Sequence, residues 1–147
     1  DYDIAQTEPD FQTYWNQESA DTSIDYVDPH NSRNNTKGLV TVGVKINNSD
    51  DNKVKLEKII TQKWIGIYPN SEEAWAEFRR TGYPKLNPVK QSLEPTINPK
   101  NGEFIKKLRY VDNELSNNKE YATDPTLNGG QGDGLSVRVW WDTARYK

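Results

Sequence analysis

The amino-acid sequence predicts a mainly α-helical protein with long irregular loops and minor β structure. Three observations carry that expectation. Residues 52–84 hold two amphipathic stretches separated by a Pro69-Asn70-Ser71 break, the pattern of a helical hairpin. From residue 83 onward the chain carries Pro at 84, 88, 95, 99 and 125 and a Gly-rich run at 129–134, which suits long surface loops. Strict alternation of apolar and polar residues is confined to two short stretches, so strands can contribute little.

Taken in chain order, residues 1–20 are expected to be helical in part. Ile4, Phe11, Tyr14 and Trp15 sit near three-to-four spacing, and Pro9 belongs at a helix start or kink rather than inside one. Residues 21–37 read as a polar loop with turn formers at Asp28-Pro29 and Asn34-Asn35. Val40, Val42, Val44 and Ile46 alternate with Thr41, Gly43 and Lys45, which predicts a short half-buried strand ended by the turn cluster at 47–51.

In the hairpin, Leu56, Ile59, Ile60, Lys63, Trp64 and Ile67 share one helix face, with the Lys63 stem along its edge, and Pro69 closes that helix. Asn70 or Ser71 caps the second helix, and Glu72 and Glu73 suit its positive first turn. Ala74, Trp75 and Phe78 form its apolar stripe. Arg79 and Arg80 suit the last turn, Gly82 stands at a left-handed C′ position, and Pro84 prevents continuation. Glu73 and Glu77 repel mildly unless Arg80 neutralises Glu77. So short a connection makes the two helices antiparallel neighbours. Beyond them, one extended piece is expected at residues 104–110, and Val137, Val139 and Trp141 alternate again.

Charge and residue usage exclude several function classes. With 19 basic and 22 acidic side chains among 147 residues, and no long basic block, nothing suggests a nucleic-acid binder. No run of 18 apolar residues exists to span a bilayer as a helix. Without Cys there is no disulfide framework, thiolate zinc site or cysteine nucleophile. His30 is the single histidine, which removes multi-histidine metal sites and leaves it as a solvated residue or a ligand contact. No cofactor motif is present: the Gly-rich run lacks the Lys-Ser/Thr ending of a phosphate cradle and the spaced oxygens of a calcium loop. A glycosidase pair needs one acid with a raised pKa, whereas most acids here fall in turns or on exposed helix faces.

Aromatic residues are the richer signal, with 5 Trp and 8 Tyr in an aliphatic-poor chain. Sugar rings stack their apolar faces on Trp and Tyr while Asn, Asp, Gln and Arg bond the hydroxyls. Tyr14, Trp15, Tyr26, Tyr83, Tyr110, Tyr121 and Tyr146 lie in or beside polar loops, where each can either pack or serve as a platform. Trp64, Trp75 and Phe78 sit on helix stripes and read as core. The low aliphatic content suggests a core shared with further chain. The start at Asp1 and the lack of Met add the expectation that an upstream portion has been removed.

Four motifs, in order, resemble one family. Lys58-Ile59-Ile60-Thr61-Gln62-Lys63-Trp64-Ile65 is followed by Glu73-Ala74-Trp75-Ala76-Glu77-Phe78-Arg79-Arg80-Thr81-Gly82-Tyr83-Pro84. Next come Phe104-Ile105-Lys106-Lys107-Leu108-Arg109-Tyr110 and Val139-Trp140-Trp141-Asp142. Together they resemble the SusD/RagB nutrient-binding outer-membrane lipoproteins. Tyr110-Val111-Asp112 departs from the family's Pro-rich ending at that point.

The resemblance implies that residues 1–147 are the C-terminal portion of a single SusD-like, tetratricopeptide-containing α-helical domain. Within it the helical hairpin spans about 52–82 and residues 83–147 are loop-rich. It further implies a cell-surface protein, lipid-anchored in the outer membrane through the missing N-terminus. Such a protein captures an oligosaccharide, or a peptide in some branches, for import through a SusC-like TonB-dependent transporter, without catalytic machinery; no catalytic residue, metal ligand or cofactor is assigned from the sequence. The residues picked for ligand contact are Trp15 and Tyr26 as stacking platforms, with Asp28 and His30 as hydrogen-bonding neighbours. Gln62, Lys63, Trp64, Trp75, Arg79, Arg80 and Tyr83 are assigned to structure. A non-enzymatic helical scaffold and, behind it, a surface glycoside hydrolase stand as the alternatives.

Overall fold

The computed structural model describes residues 9–20, 24–98, 103–124, 126 and 132–142. Five α-helices appear among them: α1 (Pro9–Trp15), α2 (Asn52–Gly66), α3 (Ser71–Thr81), α4 (Asp112–Asn117) and α5 (Lys119–Ala122). Irregular loops join them, and the only sheet-like pairings among the described residues are two isolated bridges. The described residues up to 25 and from 37 to 86 form one compact unit, and those in 26–36 and 87–142 form a second.

In the first unit α2 and α3 are the principal elements. The Asp51 side chain caps α2 by accepting from Val54 N at 2.8 Å, and Asn70 caps α3 by accepting from Glu73 N at 3.2 Å. Gly82 ends α3 at φ 80°, where a Cβ would be strained, and its N–H reaches the Phe78 carbonyl at 2.7 Å. The helices run antiparallel, as their ion pairs show. Near the connection Lys63 meets Glu73 at 2.7 Å and Glu77 at 3.4 Å; at the far end Glu57 meets Lys85 at 2.9 Å. Arg80 takes Glu77 in a two-pronged grip at 2.9 and 2.8 Å, which resolves the Glu73/Glu77 repulsion as expected.

The expected apolar face of α2 is corrected at two places. Ile60 is buried and Leu56, Lys63, Trp64 and Ile67 are half-buried, but Ile59 is 51% exposed. Glu57 and Lys58, which hydropathy places outside, are buried at 4% and 3% exposure. The Lys58 ammonium donates to the Lys45 carbonyl at 2.6 Å and to Asp50 Oδ2 at 2.7 Å, so its charge is compensated where it lies.

The expected strand at 40–46 is not formed. Val42 makes an isolated antiparallel bridge with Ser19, but the N–H groups of Val44 and Lys45 both turn to the Gln17 carbonyl, at 2.8 Å each. A ladder needs donors and acceptors alternating along a facing strand, and residues 17–20 offer only one turn of chain. Gly43 permits this approach, since a Cβ there would collide with the Gln17 carbonyl.

Among the described residues of the second unit the buried apolar side chains are Ile97, Ala122 and Val137. Residues 104–110 carry no strand; Lys106 N donates to the Leu135 carbonyl at 2.7 Å. The alternation at Val137, Val139 and Trp141 does not become a strand either, because turns close at Val137 N→Gly134 O and Asp142 N→Val139 O. Helices α4 and α5 stand where the sequence predicted only loop. With Leu115 as the single aliphatic in Asp112–Asn117, the segment has no apolar stripe to announce it.

Candidate functional site

Pro9 opens α1, where a missing N–H costs nothing, and the Thr13 hydroxyl and Asn16 amide return to the Pro9 and Gln12 carbonyls at 2.8 Å each. The helix buries no residue of its own. Its Tyr14 hydroxyl donates to Gln62 Oε1 of α2, tying it to the hairpin. Trp15 is 56% exposed, and its indole lies near-parallel to the Phe11 ring one turn earlier, with centroids 6.1 Å apart and 18° between planes. An exposed, oriented indole is chemically suited to stack on an apolar ring face.

Tyr26, Asp28 and His30 sit together in one tight loop, residues 26–36. Its mouth is closed by Tyr26 N→Thr36 O at 2.9 Å and Thr36 N→Tyr26 O at 3.1 Å. Asp28 organises the interior. Its Oδ1 accepts from His30 N at 2.8 Å and Asn31 N at 3.0 Å, and its Oδ2 accepts from Asn34 Nδ2 at 2.8 Å. Its own N–H donates to Asn35 Oδ1 at 2.9 Å, and the Asn31 side chain accepts from Arg33 N at 3.1 Å to start a short 3-10 turn, Ser32–Asn34. The Asn34 amide, followed by the two backbone N–H groups, holds the Asp28 carboxyl below its ordinary pKa. Tyr26 is 50% exposed and His30 is exposed, so the loop turns its acid inward and its rings outward.

Of the four residues expected to contact ligand, the loop gathers three; Trp15 belongs to the first unit, on α1. Sequence reasoning missed the supporting roles of Phe11, Asn31, Asn34 and Asn35. The i,i+4 spacing of Phe11 and Trp15 and the density of Asn around Asp28 are the signals that point to them. The residues assigned to structure lie in or beside the hairpin. Trp64, Trp75 and Tyr83 are half-buried, and Arg79 lies over the Trp75 ring at 3.8 Å.

Among the described residues the carboxylates with displaced pKa values, Asp28, Asp50, Glu77, Glu94 and Asp124, are all displaced downward. Hydrogen bonds to Asn34, Lys58, Arg80, Thr96 and Thr126 respectively are the leading causes. A glycosidase proton donor needs the opposite shift. Among the described residues no three His, Asp or Glu side chains come close enough to hold a metal ion.

The model of the SusD-like family, described as Susd and RagB outer membrane lipoprotein, matches residues 4–142. Among solved structures, a SusD homologue from Bacteroides thetaiotaomicron matches with TM-score 0.72 and 32% identity, over 93% of this chain and 29% of its own. A chitin-binding SusD homologue from Flavobacterium johnsoniae matches with TM-score 0.66 and 36% identity, over 86% and 26%. A SusD homologue from Bacteroides uniformis gives 0.65 and 32%, over 84% and 26%. The chain therefore spans about a quarter of the length of these relatives. No curated protein sequence matches it. The mainly helical, strand-poor architecture is that of the SusD-like structures.

Proposed function

The chain belongs to the SusD-like family of outer-membrane lipoproteins, and from that premise we propose that it is part of a surface protein that binds a glycan without altering it. The match over residues 4–142 is the observation that carries this reading. Residues 1–147 form the C-terminal portion of one SusD-like domain, and the missing N-terminal part of the same protein covers apolar side chains left open here, such as Ile65 and Leu108. That part also supplies the lipid anchor in the outer membrane. A SusC-like TonB-dependent transporter receives the captured oligosaccharide for import.

Binding is passive. Trp15 and Tyr26 stack on sugar rings and His30 bonds hydroxyls, while Asp28 keeps the 26–36 loop in shape from inside. Chitin-type oligosaccharides are the first class to try, because one solved relative is described as chitin-binding. The test is a glycan and peptide array read with the full-length protein, followed by calorimetry with chitohexaose. Trp15→Ala is expected to weaken glycan binding on the order of tenfold or more, the scale of losing an aromatic anchor. Turnover of the sugar, or no response to any glycan or peptide, would overturn the reading in favour of an enzyme or a scaffold.

A further inference from the structure

Helix α1 holds no buried residue, and the Trp15 indole is 56% exposed. Phe11, half-buried and four residues earlier on the same helix face, lies near-parallel against it. The helix itself is steadied from another side by the Tyr14–Gln62 hydrogen bond. We propose that Phe11 is a positioning residue, whose ring holds the Trp15 indole ready-oriented so that one of its faces receives a sugar ring. The inference rests on the reading of Trp15 as a platform and adds what that reading lacks, a reason why an exposed indole is pre-set. A side chain ordered before binding loses less freedom when the ligand arrives, so removing the Phe11 ring is expected to weaken binding about three- to tenfold.

The experiment uses the full-length protein, chitohexaose as probe, and 5-fluorotryptophan labelling, with the Trp15 resonance assigned by Trp15→Phe. Phe11→Ala is expected to sharpen the ligand-free Trp15 fluorine signal through added mobility and to weaken binding as stated. Phe11→Tyr, which keeps a ring, is expected to restore both; Phe11→Leu, which keeps only apolar bulk, is expected to restore neither fully. Unchanged indole mobility in Phe11→Ala, or loosened mobility with unchanged affinity, overturns the proposal while Trp15→Ala still weakens binding as expected above. If instead Trp15→Ala binds like the wild type, or the wild type ignores the probe, the platform reading fails and the Phe11 role falls with it. A general loss of fold in Phe11→Ala would show as a lowered melting temperature that Phe11→Leu repairs together with binding, and that outcome also counts against the ring.

Discussion

In α2 and α3 the backbone satisfies its own hydrogen bonds, and side chains are needed only at the ends, where Asp51, Asn70 and Gly82 complete them. In residues 87–142 much of that task passes to side chains. Asp133 Oδ2 accepts from Tyr110 N at 3.0 Å, Glu94 Oε1 accepts from Thr96 N at 3.0 Å, Glu103 Oε2 accepts from Asn98 N at 2.7 Å, and Thr96 Oγ1 accepts from Leu135 N at 3.2 Å. The same device appears in other loops: Lys58 serves the 45–50 loop of the first unit, and Asp28 serves the 26–36 loop of the second. A buried N–H or C=O must find a partner, so where no helix provides one, a few half-buried polar side chains become indispensable. Stability is thus spread along the helices and concentrated at single residues in the loops.

That contrast predicts where substitution hurts most. Lys58→Ala strips the 45–50 loop of its donor, and Asp133→Ala leaves the ammonium of Lys107, itself 11% exposed, without its carboxylate. Each is expected to cost about 3 kcal/mol, the scale of breaking a buried pair from one side. Urea unfolding would show it as a lowered midpoint with little change in slope. A loss no larger than that of a helix cap would refute the idea of concentrated stability.

Thr96→Val comes next. The hydroxyl both donates to Glu94 Oε1 at 2.8 Å and accepts from Leu135 N, so an isosteric methyl removes two links at once. The expected loss is about 1–2 kcal/mol, seen in the same unfolding curves. On the helical side, Asn70→Ala removes one cap of α3 and is expected to cost about 1 kcal/mol. An amide-exchange map would sharpen the comparison, with Asn70→Ala speeding exchange only in the first turn of α3 and Thr96→Val across residues 94–97 and 135.

The two regions also differ in how far they can be read from sequence. Spacing and end signals locate α1, α2 and α3, with Pro9 at the start of one, Asn70 at the cap of another and Gly82 at its end, because those signals act within a few residues. Tertiary partners decide the rest. Lys58 is buried because Asp50 and the Lys45 carbonyl await it, and no local pattern says so. The valines at 40–44 alternate as a strand would, yet a strand exists only if another faces it. In the candidate site the rings of Trp15 and Tyr26 and the exposure of His30 follow from a polar loop setting. The inward turn of Asp28 does not, since an aspartate next to proline can face either way until Asn34 and Asn35 are folded around it.

The smallest expected effect concerns the ion pairs within α3 and across the hairpin, and its sign follows from both partners. Arg80, first, and then Lys63 hold Glu77 below its ordinary pKa of 4.5. Its contribution is therefore complete above that value and fades as pH falls through the depressed one. Lys63 is displaced the other way, upward from 10.5, chiefly by its bond to Glu73, so its contribution is complete below 10.5 and fades as pH rises through the raised value. Between these limits the hairpin pairs add a constant amount, and only the acid and alkaline flanks report on them. Arg80 is 44% and Glu73 45% exposed at the side chain, so solvent screens the network, and the Glu77–Arg80 pair is worth about 0.5 kcal/mol. Glu77→Gln is expected to lower the melting temperature slightly at neutral pH, to flatten the fall in stability on the acid flank, and to reduce its dependence on salt. A drop as large as that of Lys58→Ala would mean that α2 and α3 are held to one another by the same few polar ties that hold the loops.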